Sequence, residues 1–204
     1  MNPNRAKAYN FGGNVTRTKK SIFKGEQYNF YLFQNYRVSD KLGFGLDLNF
    51  APSYNAANWV GLNGKQSIFS RYDRNTVENT MDAKYSFSNK MGIQLGVRHY
   101  WSDRRNKDFY VLGADGTLSP YSGTALTNVD RNYNVFNIDL AYVWQFTPGS
   151  ELNITYKNAA ESNEQFLTKR YNRNFDKVIS GPQNNSLSIK VLYYIDYLNL
   201  RKKH

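Results

Sequence analysis

The stretch LGFGLDLNF, Leu42–Phe50, alternates strictly between large apolar residues and small or polar ones. Successive side chains of a β-strand point to opposite faces, so this pattern predicts a strand with one apolar face. The chain as a whole is nevertheless hydrophilic, with a mean hydropathy of -0.70. An apolar face of this kind in a polar chain is typical of a transmembrane β-barrel, where only alternate strand positions meet lipid.

Seven other segments show the same alternation, and none shows helical spacing. With the opening stretch they predict eight strands, at residues 7–17, 27–38, 42–50, 74–87, 91–101, 133–146, 151–158 and 186–197. Most are as long as the roughly 9–11 residues that a tilted strand needs to cross a bilayer. An even number of spanning strands places both chain ends on the periplasmic side.

The predicted connections alternate in length. Short links occur at residues 39–40, 88–90 and 147–150, and long polar links at residues 18–26, 51–73, 102–132 and 159–185. In outer-membrane barrels the periplasmic turns are short and the external loops are long. The alternation therefore favours a single up-and-down antiparallel barrel domain over residues 1–204, either closed by about eight strands or forming the C-terminal part of a larger barrel.

The amino-acid composition limits the kinds of function that the chain can have. The 204 residues include no Cys and two His, which predicts no metal, no cofactor and no thiol chemistry. The net charge of +11 makes anionic lipid, lipopolysaccharide and nucleic acid plausible partners. The first ten residues lack the apolar core of a signal peptide, and no apolar run is long enough for a membrane helix.

Two sets of residues are predicted to carry the barrel's function. Charged residues opposite the apolar positions are expected to face the lumen: Arg37, Asp47, Glu78, Asp82, Lys84, Arg98, Asp139, Lys157, Lys190 and Asp196. They form either a salt-bridged interior or a water-filled lumen that selects solutes. Aromatic residues near strand ends are expected at the membrane interface: Tyr85, Phe87, Tyr100, Trp101, Tyr142, Trp144 and Phe146.

The remaining basic residues and His99 each allow two interpretations. Basic residues of the long links contact lipopolysaccharide phosphates or are simply solvated: Arg104, Arg105, Lys107, Lys169, Arg170 and Arg173. The segment RYNRNF, residues 170–175, has the aromatic and basic mixture that stacks on single-stranded nucleic acid, although no nucleic acid is expected. His99 lies close in sequence to Ser102 and Asp103, but residues three apart on a strand face opposite ways, so an interface histidine is favoured over a hydrolase.

Three stretches resemble a known family. They are SRYDRNTVENTMDAKYSFSNKMGIQLGVRHYWS, DRNYNVFNIDLAYVWQFTPGSELNITYKN and NNSLSIKVLYYIDYLNLRKKH. They are similar to the C-terminal part of Bacteroidetes outer-membrane proteins in which a module like the family-9 carbohydrate-binding fold precedes a large barrel domain of uncharacterised function. The resemblance covers most of the chain after about residue 25 and implies a barrel fragment without the carbohydrate-binding module.

The expected function is therefore non-enzymatic and located in the bacterial outer membrane. The chain is a pore, a loop-presenting receptor or an anchor for a carbohydrate-binding module. Its expected partners are outer-membrane lipid, lipopolysaccharide, the barrel-assembly machinery and, through the missing module, glycans. A soluble all-β domain that binds polyanionic glycan or nucleic acid is the alternative, and an outer-membrane lipid hydrolase built on His99 is a third hypothesis.

Overall fold

The computed structural model describes residues 7–124, 126–166 and 170–195. Ten strands and one α-helix account for most of them. The strands are β1 (Tyr9–Lys20), β2 (Gly25–Arg37), β3 (Leu42–Phe50), β4 (Ser53–Asn63), β5 (Gln66–Ser88), β6 (Met91–Leu112), β7 (Leu118–Pro120), β8 (Arg131–Thr147), β9 (Ser150–Glu164) and β10 (Gln183–Leu192). Helix α1 (Tyr171–Ser180) lies between β9 and β10, and a 3-10 turn (Ile22–Lys24) joins β1 to β2.

The strands form one antiparallel sheet in the order β1-β2-β3-β5-β6-β8-β9-β10. Strand β4 pairs with β2 and β5, and the short β7 pairs with β6. Neighbouring long strands are consecutive in the chain apart from these two insertions, which confirms the predicted all-β, antiparallel, up-and-down organisation. Among the described residues, β1 and β10 each pair with one neighbour.

The predicted strand positions are right, but several predicted ends are wrong. Strands β5 and β6 continue far into the predicted links, so that Ile68 still pairs with Val111. Strand β4 and the start of β5 together occupy most of the link predicted over residues 51–73. The link predicted over residues 18–26 is a tight hairpin in which Lys20 pairs with Gly25. The extension of β6 is richer in polar residues than the part of the strand that it continues, which hides its alternation.

Three tight turns lie at one end of the sheet, which we call the turn end; the opposite end is the loop end. The β2–β3 and β5–β6 turns use the same device, in which a serine hydroxyl accepts backbone N–H groups. Ser39 accepts from Lys41 and Leu42 at 3.2 and 3.1 Å, and Ser88 accepts from Lys90 at 3.2 Å. The β8–β9 turn uses Gly149, whose φ of 76° lies in the region that glycine favours.

The register divides the side chains of the long strands between two faces. We call one the belt face; a typical row across it is Tyr85, Ile93, Tyr142, Ile154 and Ile189, on β5, β6, β8, β9 and β10. We call the other the charged face; a typical row across it is Asp82, Gly96, Asp139, Lys157 and Ser186. The alternation visible in the sequence is therefore preserved across the whole sheet.

The buried apolar side chains lie at the loop end rather than in the middle of the sheet. Ala56, Ile68 and Tyr72 are buried in the extension built by β4, β5 and β6. Trp101 and Ala160 are buried on the belt face, where α1 packs against β8 and β9. Within the described part of the chain, no helix has the length and apolar character needed to cross a membrane.

Candidate functional site

The charged face brings together the predicted lumen-facing charges. The register places nine of the ten on this face: Arg37, Asp47, Glu78, Asp82, Lys84, Arg98, Asp139, Lys157 and Lys190. The tenth, Asp196, lies outside the described residues. The alternation therefore predicted correctly that these charges share one face, while their exposure to a lumen stays a prediction.

The charges on this face are partly paired. Glu78 lies 2.7 Å from Arg98 on the neighbouring strand, and Asp139 lies 3.5 Å from Lys157. Their side chains are between 32% and 64% exposed, so each pair contributes at most about 1 kcal/mol. Both ion pairs are therefore partly exposed in this chain, and the salt-bridged interior and the water-filled lumen both stay predictions.

Five of the predicted interface aromatics lie together at the turn end, four of them on the belt face. The ring of Phe87 lies 4.8 Å from that of Tyr85 and 6.5 Å from that of Tyr142 on β8. Trp144 follows on the same face, and its ring lies 5.7 Å from that of Phe146. Their rings therefore form an aromatic cluster at one edge of the apolar surface.

Tyr100 and Trp101 do not behave as predicted. Tyr100 pairs with Glu78 and lies on the charged face, because adjacent residues of a strand point to opposite sides. Trp101 is on the belt face, but it is only 5% exposed, and its indole N–H donates to Asn132 Oδ1 at 2.7 Å. Among the described residues, the loop end of β6 therefore adds neither residue to an exposed aromatic cluster.

His99 is buried beneath α1. It is 3% exposed, with Nδ1 at 2.9 Å from the Tyr171 hydroxyl and Nε2 at 3.3 Å from Asn134 Oδ1. Ser102 lies on the opposite face, as the alternation predicts, so the two cannot act as nucleophile and base. The described residues contain no group of three or more His, Asp or Glu side chains arranged to hold a metal ion.

Helix α1, like β4 and β7, is an element that the sequence did not predict. Its buried residues are Asn174 and Val178, and the Asn174 side chain accepts from the amides of Asn132 and Asn134 at 2.8 and 3.2 Å. A search of residues 159–185 for spacing of three and four rather than two would have found it.

The segment RYNRNF lies at the start of this helix and is not arranged to stack on nucleic acid. The Tyr171 ring lies 5.2 Å from His99, and the Phe175 ring 5.7 Å from Phe136. Both rings face the sheet, whereas Arg170 and Arg173 are exposed. The exposed side of α1 is therefore polar and basic rather than aromatic.

The basic residues predicted in the long link after β6 are in fact part of that strand. Lys107 lies 2.7 Å from Asp73, and Arg105 is exposed. Arg104 lies on the charged face beside Arg74 of β5 and Arg131 of β8, a row that the sequence analysis missed. Lys169 lies outside the described residues.

A family model described as a domain of unknown function, DUF5916, matches residues 1–204, and the chain belongs to this family. This agrees with the expectation of an uncharacterised domain. No curated protein and no solved structure matches the chain.

Proposed function

We propose that this DUF5916 chain is the wall of a non-enzymatic β-barrel in the bacterial outer membrane, with the belt face in lipid and the charged face lining an aqueous pore. The barrel is closed by these strands or by these strands with others of a longer protein. We keep the barrel that the alternating pattern predicts, because the geometry of the two faces supports a membrane barrel better than a soluble binding domain.

The exposed belt face is the observation that carries this proposal. Eleven of its large apolar side chains are 38–66% exposed, on strands from one side of the sheet to the other, and others such as Leu95 and Ile154 are half-buried between their neighbours. The eleven are Phe11, Leu32, Tyr36, Phe44, Met81, Tyr85, Phe87, Trp144, Leu187, Ile189 and Val191. Soluble monomers rarely expose contiguous apolar patches larger than a few hundred Å². A lipid environment removes the cost of this exposure, since alternate strand positions of outer-membrane barrels face the acyl chains.

The height of the belt fits a membrane. On β3 the apolar positions of the belt face run over residues 42–50. A strand tilted in a bilayer needs roughly 9–11 residues to cross it. The polar extensions of β5 and β6 then project beyond the membrane, as the external loops of such barrels do.

The two ends of the sheet suggest its orientation. The β2–β3, β5–β6 and β8–β9 turns face the periplasm in this proposal, and the loop end faces outward. We propose that the exposed Arg173 of α1 contacts lipopolysaccharide phosphates there, whereas Lys177 is paired with Glu164. Outer-membrane lipid and the barrel-assembly machinery are the other proposed partners, and glycans would be bound by a module outside this chain.

The test is whether the chain folds with lipid or without it. The purified chain is refolded in micelles and in plain buffer, and secondary structure is compared by circular dichroism. We expect a β-rich, monomeric species only in micelles, and a well-folded monomer in plain buffer would overturn the proposal in favour of a soluble domain.

Gel mobility with and without boiling then tests whether these strands close into a barrel by themselves. Closed barrels resist detergent when cold and unfold when heated, because every strand edge is paired. A change in gel mobility on boiling identifies a barrel closed by this chain alone. A fold that forms only in micelles and shows no such change identifies a sheet that needs further strands to close.

A further inference from the structure

Three arginines lie side by side on the charged face at the loop end. Arg74 of β5 pairs with Arg104 of β6, which pairs with Arg131 of β8; we call these three residues the arginine row. Adjacent strands are about 4.8 Å apart, and like charges directly opposite each other destabilise a sheet. Such a row needs a compensating anion.

The described residues supply little compensation. Each ion pair found among them involves a basic residue outside the row. Asp130 lies nearby, but its carboxylate already accepts from the backbone N–H and the side-chain amide of Asn106, at 2.7 and 3.1 Å. Within the described part of the chain, the three guanidinium groups of the row therefore form no ion pair.

The arginines are held in place and partly dehydrated. The guanidinium of Arg104 lies 5.9 Å from the centre of the Tyr72 ring, and Arg131 donates to the carbonyl oxygens of Asn128 and Asp130 at 2.7 and 2.9 Å. Burial lowers the pKa of the Arg104 guanidinium, and the neighbouring charges of Arg131 and Arg74 lower it further, while Tyr72 and Asp130 partly oppose this shift. Positive charge that is fixed and dehydrated in this way binds anions more strongly than a solvated surface charge.

Unused hydrogen-bonding atoms mark the same place. The Nε atoms of Arg74 and Arg104 are buried without a partner among the described residues. So is the hydroxyl of Ser53, which is 1% exposed and lies beside Arg74 in the register. Buried polar atoms are normally hydrogen-bonded, so such a group of exceptions points to a missing ligand.

The space beside the row fits a small oxyanion. A cleft of about 250 Å³ is lined by Arg74, Ser102, Arg104, Arg131, Tyr133 and Asn163. The hydroxyl and amide groups of this lining can donate to oxygen atoms, as the guanidinium groups can. Arginine binds phosphate groups with paired, charge-assisted hydrogen bonds, and arginine residues line anion and phosphate pores.

We infer that the arginine row is a binding site for a phosphate group, carried by a soluble solute or by a lipid headgroup. The site lies just beyond the residues proposed to cross the membrane, on the charged face. It goes beyond the proposed function, because the row would bind phosphate whether or not the sheet spans a bilayer.

The test compares two adjacent arginines that lie on opposite faces of β6. Inorganic phosphate is titrated into the folded chain by calorimetry, in non-ionic micelles or in whichever medium the chain folds. Arg104→Gln is expected to weaken binding about tenfold or more, since it removes charge-assisted hydrogen bonds. Arg105→Gln is the matched control, because it removes the same charge from an exposed neighbour on the opposite face. Circular dichroism verifies folding, and Arg131→Gln replaces Arg104→Gln if the latter does not fold.

A second arm identifies the source of the phosphate group. The same variants are mixed with micelles containing phosphatidic acid, and binding is followed by tryptophan fluorescence. Binding of inorganic phosphate with the expected ranking supports a solute site; the same ranking with phosphatidic acid alone supports a lipid site. Equal weakening by Arg104→Gln and Arg105→Gln with both probes, or no binding of either probe, would overturn the inference.

Discussion

The turn-end and loop-end halves of the belt face belong to the same strands, yet they follow opposite rules. At the turn end Phe87 and Trp144 are 43% and 42% exposed, and the face is apolar. At the loop end Asn132, Asn134 and His99 are 1%, 0% and 3% exposed, and the face is polar and covered by α1. Under the proposed function the two halves lie in different surroundings. The difference is the one expected when a strand passes from lipid into a packed, water-exposed region.

The largest expected effect comes from a charge in the turn-end half. Leu95→Arg places a guanidinium in the middle of the belt, and in a bilayer we expect the free energy of unfolding to fall by about 2–4 kcal/mol. Gln94→Arg is the control, since residue 94 lies on the charged face. Denaturant titration in lipid vesicles measures both variants; an equal loss for the two would remove the distinction between the faces.

A smaller, local effect is expected in the loop-end half. Asn174→Ala leaves the buried amides of Asn132 and Asn134 without their shared acceptor. An unsatisfied buried group costs about 1–3 kcal/mol, so the docking of α1 should weaken by about that amount. Hydrogen exchange of the α1 amides reports this loss, with the exposed Asn172→Ala as control. Unchanged exchange in Asn174→Ala would show that the network does not hold the helix.

The smallest expected effect is a pH dependence at the loop end. The side-chain hydrogen bond from Arg17, at 2.5 Å, lowers the pKa of the exposed Glu26, as does the hydroxyl of Tyr28. A carboxylate with a lowered folded pKa stabilises the protein above its unfolded pKa of about 4.3, and this contribution disappears as the pH falls through the folded value.

Glu26→Gln should therefore lower the unfolding midpoint slightly at pH 7 and leave it unchanged in strong acid. Asp40→Asn, at the turn end, removes a carboxylate that has no ion pair among the described residues and should show no such difference. A pH-independent effect of Glu26→Gln would mean that the hydrogen bond, rather than the charge, matters.

The alternation of residue types predicted most of the sheet, because the period of two is a property of each strand by itself. It placed Asp82 and Lys84 on one face and Met81 and Tyr85 on the other without knowledge of any pairing. It failed where the decisive feature was not local. The burial of Trp101 and His99 depends on a helix about 70 residues further along the chain.

The arginine row shows why the register between strands is harder to predict than the face on which each side chain lies. Alternation places Arg74 and Arg104 on the same face once β6 is extended past Trp101. Counting outward from the tight turn would have paired Arg74 with Arg105, because a register shift between Ser86 and Ser88 displaces the ladder by one residue. Arg131 follows a long connection, so no turn sets its partner from the sequence.

The central claim is that the belt face lies in lipid, and β6 offers the most direct test. The chain has no Cys, so single cysteines at positions 93–98 can each carry a fluorophore without background labelling. Spin-labelled lipid in the vesicle quenches labels that face acyl chains, and a water-soluble quencher reaches those that do not. We predict lipid quenching at positions 93, 95 and 97 and aqueous quenching at 94, 96 and 98. Aqueous quenching at all six positions would contradict the claim.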